Sequence, residues 1–186
     1  MIDLPRGAAR CAAAFLLVLS GAAFAAGPEI TVGIEKTAVG FVVDATVELP
    51  VPLRTAWEVL TDFDNMAAII SELASSKITR RSGNTLYVAQ EGTAKFGIFS
   101  YAFASEREIR LEPMRRILAR QLTGTAERYE SEIGLAATGG GTLVHYRAEI
   151  VPNSGLARIF GGPFIKREVE GQLNAMAAEM ARREGL

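Results

Sequence analysis

The residues of this 186-residue chain that could do chemistry are few, and two tyrosines and an arginine lead them. Tyr129 alternates with Ser131, Ile133 and Leu135, and Tyr146 with Val144, Ala148 and Ile150, the period-two pattern of strands that turn one face to a core. Each would set a phenolic O–H among apolar walls, where it can hold a carbonyl or hydroxyl oxygen. If one or two polar residues move protons there, Tyr129, Tyr146 and Arg107 are the candidates. The sequence shows no partner for any of them. Counting back from the Thr138–Gly141 turn sets Tyr129 opposite Ile150, with Tyr146 a few residues further along the neighbouring strand. Two hydroxyls spaced along an elongated cavity are therefore expected, which favours binding over concerted catalysis.

Other reaction types find little support. His145 stands between Leu143 and Arg147, on the face opposite Tyr146, and reads as a surface histidine. The lone Cys11 lies near the N-terminus, so Cys/His zinc sites and Cys–His nucleophilic pairs are excluded and no metal site is expected. The sequence has no G-x-S-x-G, no P-loop and no G-x-G-x-x-G, and Gly139–Gly141 joins two strands as a hairpin. Glu130 and Glu132, like Glu106 and Glu108, are spaced for a solvated strand face more than for paired-carboxylate catalysis. Arg107, Arg110, Arg115, Arg116 and Arg120 gather around one hairpin. Cross-strand pairing with those glutamates explains them, and a docking patch for an acidic partner is the alternative.

The elements that must position these residues follow the same patterning. Phe41 to Leu49 alternates apolar and polar residues as a first strand, ended by Pro50 and Pro52. Ala56, Trp57, Leu60 and Phe63 recur at helical spacing after Pro52, and a second short helix is expected near Asn65 to Ile70 with Asp64 as its cap. Strands then follow over Lys77–Arg81, Thr85–Glu91, Phe99–Leu111, Arg115–Thr123, Glu127–Ala137 and Thr142–Val151, with a tight turn at Ser82-Gly83-Asn84. A helical turn over Leu156–Phe160 should precede a long helix beginning at Pro163, whose missing N–H is harmless at a first helical position. In it Ile165, Val169, Leu173, Met176 and Met180 form one apolar stripe, and Gly185 ends it. The expected architecture is α+β, a helix-grip fold in which a curved antiparallel sheet wraps around the long C-terminal helix, with two short helices after the first strand.

Residues 1–25 read as an export signal and not as part of the fold. Arg6 and Arg10 precede the apolar run Cys11–Leu19, and Ala23-Phe24-Ala25 offers small residues for cleavage. The run is short for a bilayer span, so a periplasmic or secreted location without an integral span in the mature protein is expected, a retained anchor being the alternative. Cleavage takes the charged residues from 20 basic and 21 acidic to 18 and 20, a near-neutral balance that gives nucleic acid no support as a partner. Residues 26–40 are either a lead-in segment or an edge strand, and 41–186 is the domain.

Three segments, LPVPLRTAWEVLTDFDNM, GTAERYESEIGL and GGTLVHYRAEIVPNSGLARIFGGPFIKREVEGQL, resemble in order and spacing the START-like superfamily of polyketide cyclase/dehydrase and coenzyme Q-binding proteins. The resemblance spans about Phe41 to Glu184. It departs at the export signal and at Ile69-Ile70-Ser71, where many relatives carry a proline. It implies a hydrophobic small molecule, such as a lipid, an isoprenoid quinone or a polyketide-like compound, held between sheet and helix, with no cofactor. The strand residues Phe99, Tyr101, Phe103, Tyr129, Ile133, Val144, Tyr146 and Ala148 are the expected walls. Met66, Ile69, Phe164, Val169 and Met176 are expected to close them from the helical side. A cyclase- or dehydratase-type enzyme using the same cavity, or a protein-interaction module using the outer face, are the alternatives. Neither the ligand's identity nor the oligomeric state is readable from the sequence.

Overall fold

The computed structural model describes residues 28–96, 99–153 and 155–186. The expected export signal lies outside them. Strands β1 (Ile30–Lys36) and β2 (Phe41–Leu49) are followed by helix α1 (Leu53–Leu60), a 3-10 turn (Phe63–Asn65) and the short helix α2 (Met66–Ile69). Strands β3 (Leu73–Ser82), β4 (Thr85–Phe96), β5 (Phe99–Glu112), β6 (Arg116–Gly124), β7 (Ala126–Thr138) and β8 (Gly141–Pro152) come next, and helix α3 (Gly155–Glu184) ends the chain. All pairings are antiparallel, in one curved eight-stranded sheet of order β1-β2-β8-β7-β6-β5-β4-β3. β2 lies between β1 and β8, and its alternation turns one face to the core: Phe41, Val43, Ala45, Val47 and Leu49 are buried, and the residues between them are more exposed. Of the two readings of residues 26–40, the edge strand is the one observed, with Ile30 opposite Val47 and Lys36 opposite Phe41.

Helix α3 lies over β1, β2 and β8 and meets α1 and α2. Ile165, Val169, Leu173, Met176 and Met180 are all buried, with Ala177 added to the stripe, while Lys166, Arg167, Asn174 and Arg182 are exposed. Those burials offset the loss of chain entropy with about 1.5–3 kcal/mol for each large side chain. The helix ends as its sequence suggests. Gly185 takes a φ of 74°, its N–H bonds the Arg182 carbonyl, and the Leu186 N–H bonds that of Ala181, the paired arrangement of a Schellman motif.

Two expectations about the helices need correction. Pro163 does not begin α3. It sits inside one helix that runs without a break from Gly155 and absorbs the expected turn over Leu156–Phe160. Pro163 itself is exposed. Packing holds this stretch against the sheet, for a Cβ at Gly161 would lie 3.2 Å from the Phe41 ring. Asp64 does not cap α2 either. Its Oδ1 accepts the Ile78 N–H at 2.8 Å and ties the 3-10 turn to β3.

Candidate functional site

The inward faces of β7 and β8 carry Tyr129, Ser131, Ile133 and Leu135 opposite Ile150, Ala148, Tyr146 and Val144 in turn. Tyr129 is paired with Ile150 as the count from the turn requires, which places Tyr146 four residues from its level. At about 3.3 Å per residue that is roughly 13 Å along the strands. Nevertheless the two phenols meet, with their hydroxyl oxygens 3.0 Å apart. The expectation of separated hydroxyls is therefore corrected. The register explains why: the pair between the tyrosines is Ser131 and Ala148, both small, so the rings can lean towards each other across them.

Arg107 joins this pair. On β5 it shares a parity with Phe103, Ser105 and the buried Ile109, so its side chain belongs to the inward face and not to the outer arginine cluster. Its guanidinium carbon lies 5.6 Å from the centre of the Tyr129 ring, within cation–π range. Its Nε is buried and makes no hydrogen bond among the described residues. Burial pushes the Tyr146 phenol well above the ordinary tyrosine range; the contact with Tyr129 adds to the rise, and the Arg107 charge opposes it. Tyr146 therefore stays a protonated donor at neutral pH. One hydroxyl of the pair must donate to the other, which leaves one O–H free to turn to a further acceptor.

The concave face has a sealed end and an open one. At the sealed end Leu86, Val88, Ile109 and Ile117 pack in one core with Val59, Leu60 and Phe63, and none is more than 7% exposed. Elsewhere on this face Phe103, Tyr129, Ile133 and Tyr146 keep partial exposure, Ile133 directly opposite Ile117, and Tyr101 is 48% exposed. Polar side chains lie on this face too. Gln90 donates to Ser76 Oγ at 2.9 Å, Ser76 donates to the Phe63 carbonyl, and Gln121, opposite Arg107, donates to the Ala126 carbonyl at 2.8 Å. Gly92 lets Phe103 pack closely, since a Cβ there would lie 2.7 Å from its ring and 2.2 Å from the Glu72 carbonyl oxygen.

The other expected wall residues divide between these regions. Met66, Val144, Ala148, Val169 and Met176 are buried in the core, and Ile69 and Phe164 are partly buried against it. Phe99 pairs with Phe96 in the strand ladder, and its side chain lies outside the described residues. Sequence reasoning passed over Gln90, Gln121 and Ser105. A signal existed, because Gln90 continues the inward alternation of Leu86 and Val88.

The outer face is a field of exposed charge pairs. His145 Nε2 lies 3.1 Å from Asp44 Oδ2, on the side opposite Tyr146 as expected. Arg116 pairs with Glu112 at 2.9 Å and Glu132 at 3.4 Å, and Arg120 with Glu108 at 3.4 Å. These cross-strand partners account for Arg116 and Arg120, and as exposed pairs they contribute little to stability.

Comparison with known proteins agrees with this architecture. The family described as polyketide cyclase/dehydrase and lipid transport matches residues 41–183. Among solved structures, an aromatase/cyclase from Streptomyces sp. R1128 superimposes with a TM-score of 0.68 at 21% identity, over 76% of this chain and 94% of that one. A STAR-related lipid transfer protein from Xanthomonas axonopodis gives 0.67 at 12% identity, over 81% and 93%. A START superfamily protein from Mycobacterium smegmatis gives 0.60 at 15% identity, over 76% and 95%. At such identities the likeness is one of fold. No curated protein matches the chain significantly.

Proposed function

Because this chain belongs to the polyketide cyclase/dehydrase and lipid transport family, a START-like family with a hydrophobic-ligand-binding fold, we propose that it is an exported carrier that encloses one apolar small molecule between sheet and helix. The observation that carries this reading is the unevenly sealed concave face. Its far end is packed shut, whereas Phe103, Tyr129, Ile133 and Tyr146 remain partly accessible although they point inward. Inward aromatic surface that the fold's own residues do not cover is surface for a ligand. Lipids, isoprenoid quinones and polyketide-like compounds all suit such walls. The test is a titration with N-phenyl-1-naphthylamine, a neutral apolar dye that brightens when enclosed. Saturable binding at one site per chain is expected, and a linear, non-saturating rise would overturn the reading.

Export rests on Arg6, Arg10, the apolar run Cys11–Leu19 and Ala23-Phe24-Ala25. Among the described residues no helix is long and apolar enough to cross a membrane. N-terminal sequencing of exported protein should begin near Ala26. Met1 at the terminus of exported protein would contradict cleavage.

A second reading, a cyclase- or dehydratase-type enzyme, draws on the meeting of Tyr129 and Tyr146 beside Arg107. Donors that converge on one oxygen can stabilise charge that develops there during enolisation or dehydration. On this reading Tyr146→Phe abolishes turnover while the dye still binds. Unchanged turnover in that variant would exclude Tyr146 as a catalytic residue.

A further inference from the structure

The Tyr129–Tyr146 pair and Arg107 at the centre of the concave face keep donors to spare, and this limits what they can receive. The Tyr129–Tyr146 pair has two O–H groups, spends one on its mutual bond at 3.0 Å and keeps one. Arg107 beside it has a buried Nε without a hydrogen bond among the described residues, and its guanidinium faces the Tyr129 ring rather than a carboxylate. Leaving a buried donor unpaired is costly, and a charged one more so. The arginines of the outer face show the contrast: Arg116 pairs with Glu112 and Glu132, and Arg120 with Glu108. Gln121, the residue opposite Arg107, is already bound to the Ala126 carbonyl through its amide N–H. The site thus presents a guanidinium and a free phenolic proton among apolar walls, with no anion among the described residues to match them.

We propose that the occupant is an apolar acid, a molecule with a long or polycyclic hydrocarbon body whose one carboxylate is bound by Arg107 and by the spare proton of the Tyr129–Tyr146 pair. A carboxylate has two oxygens and accepts from both donors at once, where an alcohol offers one weaker acceptor. The partly exposed aromatic walls take the body of the molecule. This deepens the carrier reading and rests on it. It sets the polarity of the ligand's head, which an apolar cavity alone leaves open.

Competition against bound N-phenyl-1-naphthylamine separates the two claims. The competitors are hexadecanoate and 1-hexadecanol, matched in chain and different in head, each used as a monomeric solution with the mature protein. Wild type should release the dye at a concentration of hexadecanoate at least about tenfold below that of the alcohol, since a hydrogen bond to a charged group exceeds its neutral counterpart by about 1.4 kcal/mol or more. In Arg107→Met the acid should lose far more affinity than the alcohol, so that the preference shrinks to about twofold, while Arg107→Lys keeps part of it. Equal competition by acid and alcohol in wild type, no competition by the acid, or a full preference surviving in Arg107→Met would each overturn the proposal. The wild-type comparison decides by itself if the Met variant does not fold. Failure of the dye to bind wild type at all would strike the carrier reading instead.

Discussion

The Tyr129–Tyr146 contact shows how far one sequence register reaches and where it stops. Pairing Tyr129 with Ile150 follows from counting residues, but the lean of two rings across Ser131 and Ala148 depends on the size of what lies between them, which counting does not weigh. Arg107 was legible in a different way. Its place in the alternation Phe103, Ser105, Arg107, Ile109 marks an inward charge, yet its nearness in sequence to Arg110, Arg115 and Arg116 suggests a surface cluster. The fold separates the two. The contact has a measurable consequence for titration. Tyr129→Phe removes a group that helps to raise the Tyr146 phenol, so that phenol should ionise at lower pH than in wild type, though still above the ordinary tyrosine range because burial is the larger cause. Arg107→Met removes the opposing charge and should shift it upwards. Ultraviolet absorbance of the last-ionising tyrosine reads both, and shifts of the same sign in the two variants would refute the geometry. Either Tyr→Phe change should also weaken a bound ligand by about 0.5–1.5 kcal/mol, measured by dye titration or competition.

At the scale of elements, α3 and the strands obey their periodicities, so both were readable. What escaped was the start of α3, because Pro163 is as well suited to a first turn as to an exposed interior position, and only packing against Phe41 and Ile34 distinguishes them. Edge strand β1 was ambiguous for a related reason, since its short mixed pattern becomes a strand by pairing with β2. Val169→Asp or Leu173→Asp would bury an unpaired charge and should cost several kcal/mol, enough to unfold a domain of ordinary stability, whereas Lys166→Ala and Asn174→Ala should melt within a degree or two of wild type. The far end of α3 is pinned by charge. Glu179 accepts from Arg182 and Arg183, Arg183 also reaches Asp62, and Thr55 donates to Glu184. Those arginine hydrogen bonds hold the Glu179 carboxyl down at about 2, below its ordinary 4.5. A lowered carboxylate pKa stabilises the fold above pH 4.5, and the contribution is lost as pH falls towards 2. The melting temperatures of wild type and Glu179→Gln should therefore differ most near neutrality, by an amount equivalent to about 1 kcal/mol or less, and converge by about pH 2. A gap that widens on acidification would contradict the assignment.

For the whole molecule, sheet and helix meet closely along β1, β2 and β8, and α1 with the 3-10 turn seals one end of the concave face. The rest of that face keeps inward aromatic side chains partly accessible, with the donor cluster of Arg107, Tyr129 and Tyr146 set among them. The superfamily and this architecture were legible because three segments fall in the right order at the right spacing. The chemistry of the cluster was not, because it depends on side chains from three strands brought together by the curvature of the sheet. That this face holds one apolar molecule is best tested by native mass spectrometry of the protein as purified. Wild type should carry one added small mass that denaturation releases, and Ala148→Trp, which places an indole beneath the meeting point of the phenols, should lose it while still unfolding cooperatively. That substitution overpacks a buried site at a cost of about 1–3 kcal/mol, so the melting curve is recorded alongside. Bare wild-type protein that gains no mass after incubation with a total lipid extract, or an Ala148→Trp variant that retains the ligand in full, would contradict the claim.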